Sequence, residues 1–339
     1  MPRVTIILTT FNRLNYLKKA INSVLNQTFK DFDLFILDNA SLDGTDAYIR
    51  SLRDERINYL RNPKNIGAMN NGLKAFDLIR NSIKSEFISF FHDDDMMKPH
   101  LLESEIKIFK SHQDVVLVAT NTELIDEKEK TIQKKSLRIS HDILIEKYKY
   151  IEDLIKGKYA IFMPTVMLQR SFLSDNDFHL RPEIGPSADT FLWFEMNLLP
   201  HKFYLIHEPL LRYRIHNNQD SQINSFKMRE PFYKGAIKML IENNLKYLIA
   251  PLTKYVNNGM VVSLSKQLCQ KKISKSQYIK TIEYINKNIS EERVNVKIKT
   301  IICIAKFSPE TLRAIFYLTR IIHRLLDIAF INLAKGTRY

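Results

Sequence analysis

The chain has 339 residues, enough for two domains or for one large domain with an extension. Hydrophobic residues make up 45% and charged residues 26%, with only 8 glycines and 11 prolines, which excludes a disordered chain and a fibrous repeat. The 51 Lys and Arg against 37 Asp and Glu give a net charge of +14, which suits an anionic membrane surface, phosphorylated ligands or nucleic acid without choosing among them.

Cys269 and Cys303 make neither a disulfide framework nor a metal-ligand spacing, and they point to a reducing compartment. Met1-Pro2-Arg3 runs straight into an apolar segment with no signal-peptide core, so the expected location is cytoplasmic. No stretch reaches the roughly 18 uncharged apolar residues that a membrane span requires.

Along the first 120 residues two periodicities alternate. Val4 to Thr10 predicts a buried strand, and Leu14, Leu17, Ala20, Ile21, Val24 and Leu25 predict a helix ending near Asn26-Gln27-Thr28. Phe32 to Leu37 predicts a second strand, Asp43-Gly44-Thr45 a turn into a helix through Ile49 and Leu52, and Ile57 to Leu60 a third strand. Leu73, Phe76, Leu78 and Ile79 predict a helix, and Phe87 to Phe91 a fourth strand stopping at His92-Asp93-Asp94-Asp95. Helix 101 to 111 and strand 115 to 119 follow. From 121 to 160 the pattern is polar and reads as helical; Ile161 to Leu168 and Tyr204 to Tyr213 read as strands, and Ser187-Ala188-Asp189 as a helix start. Beyond about 225 the expectation is consecutive helices.

This alternation predicts an α/β fold, a doubly wound and mostly parallel sheet, because each parallel return needs a crossover. Ligands bind such sheets outside the carboxyl ends of the strands. Thr9-Thr10, Asp38-Asn39 and the aspartate triplet all end strands, so they are expected at one edge. Three adjacent carboxylates repel unless something positive is present, and a divalent cation would supply it. A solvated turn ahead of Pro99 explains the triplet alone equally well; its place at a strand end favours the cation.

Several segments in order over roughly the first 225 residues resemble a family 2 glycosyltransferase of the GT-A fold, of the kind that builds bacterial polysaccharide or glycolipid. They are Val4-Thr5-Ile6-Ile7-Leu8-Thr9-Thr10-Phe11-Asn12-Arg13, Ser23 to Thr28, Leu37-Asp38-Asn39-Ala40-Ser41-Leu42-Asp43-Gly44-Thr45, Asn65-Ile66-Gly67 and the triplet. The resemblance implies a nucleotide-sugar site of Thr10, Asn12, Asp38, Asp43, Asn65, Asp93 and Asp94, with Asp38 on the base and Thr10 and Asp43 beside the donor. The triplet resembles the family's Asp-x-Asp motif, which implies Mn²⁺ or Mg²⁺ on the donor diphosphate with Asp95 as direct ligand. Asp189 matches the position of an inverting enzyme's catalytic base, with Glu195 as the fallback; capping its own helix is the competing role. His216, in Arg212-Tyr213-Arg214-Ile215-His216, is similar to a late element whose histidine reaches the metal, and Arg214 would suit a phosphate. Three departures stand out: Thr9 replaces a proline, His92 stands where an aspartate is frequent, and the segment 68 to 72 is short and lacks the family's arginine.

From Arg293 to Tyr339 nine Lys or Arg face only Glu310 and Asp327, so half the net charge sits in the last stretch. Apolar positions from Leu312 to Leu333 are interrupted by Arg313, Arg320, Arg324 and Asp327, a pattern suited to lying in an anionic membrane interface. Packing on the catalytic domain, or a homo-oligomer contact, is the competing reading. No recognition motif accompanies the charge, so nucleic acid is not an expected partner.

The expectation is therefore a catalytic domain over 1–225 and a basic helical C-terminal region over 226–339. Together they would form an inverting, metal-dependent transferase moving a hexosyl or N-acetylhexosaminyl group, from a UDP-sugar by preference, to a glycan or lipid-linked glycan. The site would be peripheral on the inner face of the cell membrane. The alternatives are a nucleotidyltransferase, for which Thr9 to Arg13 lacks a phosphate loop, and a non-catalytic membrane-associated binding protein.

Overall fold

The computed structural model describes residues 2–216 and 230–256, together with Leu264, Leu268 and 274–280. The first strand, β1 (Val4–Thr10), is buried along almost its whole length, as a strand covered on both faces must be. Helix α1 (Leu14–Leu25) buries Leu17, Ala20, Ile21 and Val24, one face at three- and four-residue spacing. Then come β2 (Phe32–Asp38), α2 (Thr45–Ser51), β3 (Ile57–Arg61), α3 (Ala68–Asn81) and β4 (Phe87–His92). A two-residue β5 (Met96–Met97), α4 (Leu101–Ser111) and β6 (Val115–Ile125) complete the first half.

The second half contributes β7 (Thr131–Gln133), β8 (Ile143–Ile145), α5 (Lys149–Ile155), β9 (Val166–Gln169), α6 (Arg170–Asp175), α7 (Ala188–Asn197), β10 (Lys202–Arg214) and α8 (Glu230–Glu242). All ten strands join one sheet in the order β3-β2-β1-β4-β9-β6-β10-β5, with β7 on β6 and β8 on β10. Strands β3, β2, β1, β4, β6 and β10 run one way; β9, β5, β7 and β8, all short, run the other. The sheet is thus mostly parallel. Its core is a layer of Val4, Ile6, Leu8, Leu34, Ile36, Phe87, Phe91, Val115 and Val118 packed under α1 and α4.

Two expectations about elements are corrected. The segment 121–160 is not chiefly helical: β6 carries on to Ile125, β7 and β8 follow, and only α5 is an α-helix there. Its polar strand residues are buried because tertiary partners satisfy them, as when the Asn121 amide donates to the carbonyls of Leu137 and His207. The strand expected from Ile161 begins only at Val166, since Met163–Thr165 form a 3₁₀ turn around Pro164.

The chain divides into two compact units, Met1–Ile223 with Lys234–Asn244, and Asn224–Tyr233 with Leu245–Tyr339. The sheet belongs to the first. Within the second, Leu248, Leu252, Val256, Leu264, Leu268 and Tyr278 are buried, and the Tyr233 and Thr253 hydroxyls lie 2.9 Å apart. Among the described residues no helix is long and apolar enough to cross a membrane. The basic stretch from Arg293 onward lies outside the described residues.

Candidate active site

The chain winds outward from β1 to β2 and β3, then returns to lay β4 on the other side of β1. That reversal lies at the carboxyl ends of β1 and β4, the place where such sheets take ligands. Register brings the strand ends level, with Thr10 opposite Asp38 and Thr9 opposite His92. The antiparallel pairing of Met96 and Met97 with Arg212 and Leu211 then draws the end of β10, and with it Arg214 and His216, onto the aspartate triplet.

All three aspartates are buried. Asp93 accepts from the Thr10 hydroxyl at 2.7 Å and from Arg13 Nη1 at 3.1 Å. Asp94 Oδ2 meets both Arg13 Nη1 at 3.2 Å and His216 Nε2 at 2.8 Å. The Arg214 backbone N–H donates to Asp95 Oδ1 at 2.9 Å, while Asp95 Oδ2 has no hydrogen-bond partner among the described residues. Burial and the adjoining Asp94 charge push the Asp93 carboxyl up and Asp95 well up. Burial would lift Asp94 as well, but the His216 hydrogen bond, with the charges of His92 and Arg13, holds it below the usual range. The cluster therefore lacks positive charge at one buried oxygen. One donor atom each from His92, Asp94 and Asp95 lies within 4.8 Å of the other two, a donor set that fits a divalent cation.

On the β2 side, fully buried Asp38 takes the Ser41 N–H at 2.9 Å and the Tyr59 hydroxyl at 2.7 Å, with Arg61 Nε 3.5 Å away. Asn12, with a left-handed φ of 50°, is braced on the same loop: its N–H donates to Ser41 Oγ and its Oδ1 accepts from Leu42 N–H. Asn65 Oδ1 accepts from the Asn39 amide at 2.8 Å and from the Gly67 N–H. Asn39, Asn62 and Asn71 continue that network across the crevice floor, and Lys74 closes it on Asn62 Oδ1 at 2.7 Å. Asp43 is exposed and bonded locally, to the N–H of Leu14 at 2.8 Å and the Thr45 hydroxyl at 2.7 Å.

Asp189 is the second residue of α7 and half-buried. Its Oδ1 accepts the Thr190 N–H, so it does bind the first turn of its helix, and Oδ2 carries no protein donor among the described residues. Burial raises its pKa, the Thr190 hydrogen bond and the charge of His92 opposing. Glu195, the fallback base, is held by Arg181 in a two-pronged contact at 3.0 and 2.8 Å.

The fold thus gathers Thr10, Asp93, Asp94, Asp95 and His216 into one contact cluster and joins Asn12, Asp38 and Asn65 to it along the strand ends. Asp43 stands apart, at the start of two helices. His216 reaches the cluster through Asp94, and the third donor beside Asp94 and Asp95 is His92. Arg214 is fully buried; its Nε and Nη1 donate to the carbonyls of Asp94, Asp126 and Glu127, and its Nη2 lies 3.6 Å from Glu129. Arg13, Tyr59, Arg61, Asn62 and Asn71 were not singled out in the sequence. Only Arg13 had a signal there, since a buried carboxylate triplet requires a counter-charge.

The architecture is that of an α/β protein with a mostly parallel sheet whose acidic residues gather where the strand order reverses. Residues 5–176 match the model of glycosyl transferase family 2, and the chain belongs to that family. It is a glycosyltransferase. Among its relatives, a GalNAc(5)-diNAcBac-PP-undecaprenol beta-1,3-glucosyltransferase of Campylobacter jejuni is 28% identical over 253 residues, covering 73% of this chain and 76% of that one. A glycosyltransferase of Rickettsia typhi is 28% identical over 251 residues, covering 72% and 74%. The fold is similar to that of Staphylococcus aureus TarS residues 1–349, solved with UDP-GlcNAc, at a TM-score of 0.65 and 14% identity over 94% of this chain and 92% of that one. It is also similar to a mannosyltransferase of Pyrobaculum calidifontis solved with GDP-Man and Mn²⁺, at 0.51 and 11% over 94% and 87%.

Proposed function

We propose that the protein is an inverting, metal-dependent transferase that moves a hexosyl or N-acetylhexosaminyl group from a UDP-sugar to a glycan or lipid-linked glycan. The observation that carries this reading is the meeting of Asp38 and the aspartate triplet at one edge of the sheet, with a buried carboxylate oxygen, Asp95 Oδ2, left without a hydrogen-bond partner among the described residues. In it, Asp38 receives the base, Thr10, Asn12 and Asn65 shape the donor pocket, and Asp43 holds the loop beside it. Asp93 lies toward the ribose. Asp94 and Asp95 would hold the cation, and His216 fixes the Asp94 carboxylate. A divalent cation held by Asp94 and Asp95, Mn²⁺ or Mg²⁺, would supply positive charge for the leaving diphosphate, a contribution on the order of several kcal/mol.

Asp189 takes the proton of the acceptor hydroxyl as that oxygen bonds to the anomeric carbon, and the bond from that carbon to the diphosphate oxygen breaks on the opposite face. Its burial-raised pKa makes it a stronger base than an exposed aspartate. Arg13, 29% exposed and bound to both Asp93 and Asp94, offsets part of their charge while the donor is away. The catalytic domain is assigned to 1–225, and the basic helical region 226–339 to peripheral contact with the anionic inner face of the membrane. The Campylobacter relative's printed name, with its undecaprenol carrier, supports an acceptor linked to lipid.

The test is a panel of nucleotide sugars with and without Mn²⁺, following thermal stabilisation and nucleotide release. Asp95→Ala is expected to abolish metal-dependent donor binding. Asp189→Asn is expected to keep donor binding and lose transfer by at least about 10²-fold. Transfer at the parental rate by Asp189→Asn would remove it from the mechanism.

A further inference from the structure

We infer that His92 supplies an imidazole nitrogen as a third direct ligand to the cation held by Asp94 and Asp95, and that this nitrogen tilts the site away from Mg²⁺ toward first-row transition metals such as Mn²⁺ or Co²⁺. The inference rests on the metal-dependent reading above and deepens it.

Three observations carry it. His92 is the last residue of β4, so the strand itself aims it at the crevice, and its Nδ1 lies 3.9 Å from Asp95 Oδ2. That oxygen is buried, and its carboxylate's other oxygen is already spent on the Arg214 N–H. Asp94 likewise commits Oδ2 to Arg13 and His216, and one carboxylate oxygen of each aspartate lies close to a His92 ring nitrogen. Donors sharing one cation stand up to about 4.4 Å apart. The three atoms here are within 4.8 Å and need to close by only a few tenths of an ångström.

The chemistry follows from the donor type. A shell of carboxylates, phosphates and water suits Mg²⁺, whereas an imidazole nitrogen binds later first-row cations better and Mg²⁺ poorly. His216 is the competing nitrogen, but its Nε2 is occupied by Asp94. His92 thereby turns an all-oxygen site into a mixed one.

The experiment loads the full chain with Mn²⁺ in the presence of UDP and reads ¹⁴N and ³¹P couplings to the metal by pulsed electron paramagnetic resonance. The expected result is a directly bound imidazole ¹⁴N coupling in the parent and in His216→Gln, absent from His92→Gln. With its side chain 41% exposed at a strand end, His92 is replaceable without loss of core packing. In parallel, His92→Asp is expected to lower the ratio of Mn²⁺ to Mg²⁺ affinity, measured by calorimetry, on the order of tenfold. A coupling that survives His92→Gln, or a ³¹P coupling without any ¹⁴N coupling in the parent, overturns the inference and leaves metal dependence standing. Folded protein that takes up no Mn²⁺ at all overturns both.

Discussion

Glu105 is buried in α4 with neither carboxylate oxygen hydrogen-bonded among the described residues, and burial alone pushes its pKa well up. A group whose folded pKa is raised keeps its stability contribution below the unfolded pKa and loses it as pH climbs from there toward the folded value. Glu105→Met should therefore raise stability at pH 7.5 by about 1–3 kcal/mol, the usual cost of a buried unsatisfied polar group. The gain should shrink as the pH approaches about 4.3, the unfolded value. Urea titrations of parent and variant at several pH values check it, and a gain independent of pH would mean that Glu105 titrates alike in the folded and unfolded chain. The contrast with Asp95 is instructive. Both are buried acids with unpartnered oxygens among the described residues, but Asp95 stands beside two other carboxylates and a histidine, where one cation would compensate all of them.

Helix starts explain Asp43. Its carboxylate takes the Leu14 N–H of α1 and the Thr45 hydroxyl beside the first turn of α2, and Gly44 between them adopts φ 92°, open to glycine without strain. Local burial would raise its pKa, and the bonds from Thr45 and Leu14 outweigh that and hold it low. A depressed folded pKa gives stability that is present above the unfolded value and lost as pH falls through the folded one. Asp43→Ala is expected to cost about 1 kcal/mol at pH 7, since the group is exposed and screened, and the difference should fade below about pH 4. Thermal melts of the two proteins across that range measure it. An unchanged midpoint with weakened donor binding would instead give Asp43 a role in the ligand pocket alone.

At the scale of the whole molecule, the sheet concentrates acid in a chain that is strongly basic overall. Half the net charge comes from the segment after Arg293, outside the described residues, and each basic residue near an anionic leaflet contributes at most about 1 kcal/mol. Removing residues 310–339 should release the protein from vesicles containing phosphatidylglycerol into the supernatant, most clearly at low salt. Binding that persists after truncation would move the membrane contact elsewhere in the chain.

The eight elements from β1 through α4 that the alternating pattern predicted are found within a few residues of their expected ends, because a strand buried on both faces and a one-faced helix each leave a periodic trace. The acidic edge was legible for the same reason: Thr10, Asp38 and Asp93–Asp95 terminate apolar runs, and parallel strands must end on one side. What the pattern could not carry is pairing between segments far apart in sequence. Asn121 and Thr122 open a polar stretch that reads as helical until Leu137, His207 and Ser136 meet them, so β6 read as five residues rather than eleven. His92 looked like a lost aspartate, and Arg13 was not singled out, until the register of β1 on β4 set them against the triplet. Residue types and local periodicity set which chemistry the chain carries; which atoms share one ion, one proton or one crevice is decided by long-range strand order, because only the folded sheet brings positions about 80 to 120 apart within hydrogen-bond reach.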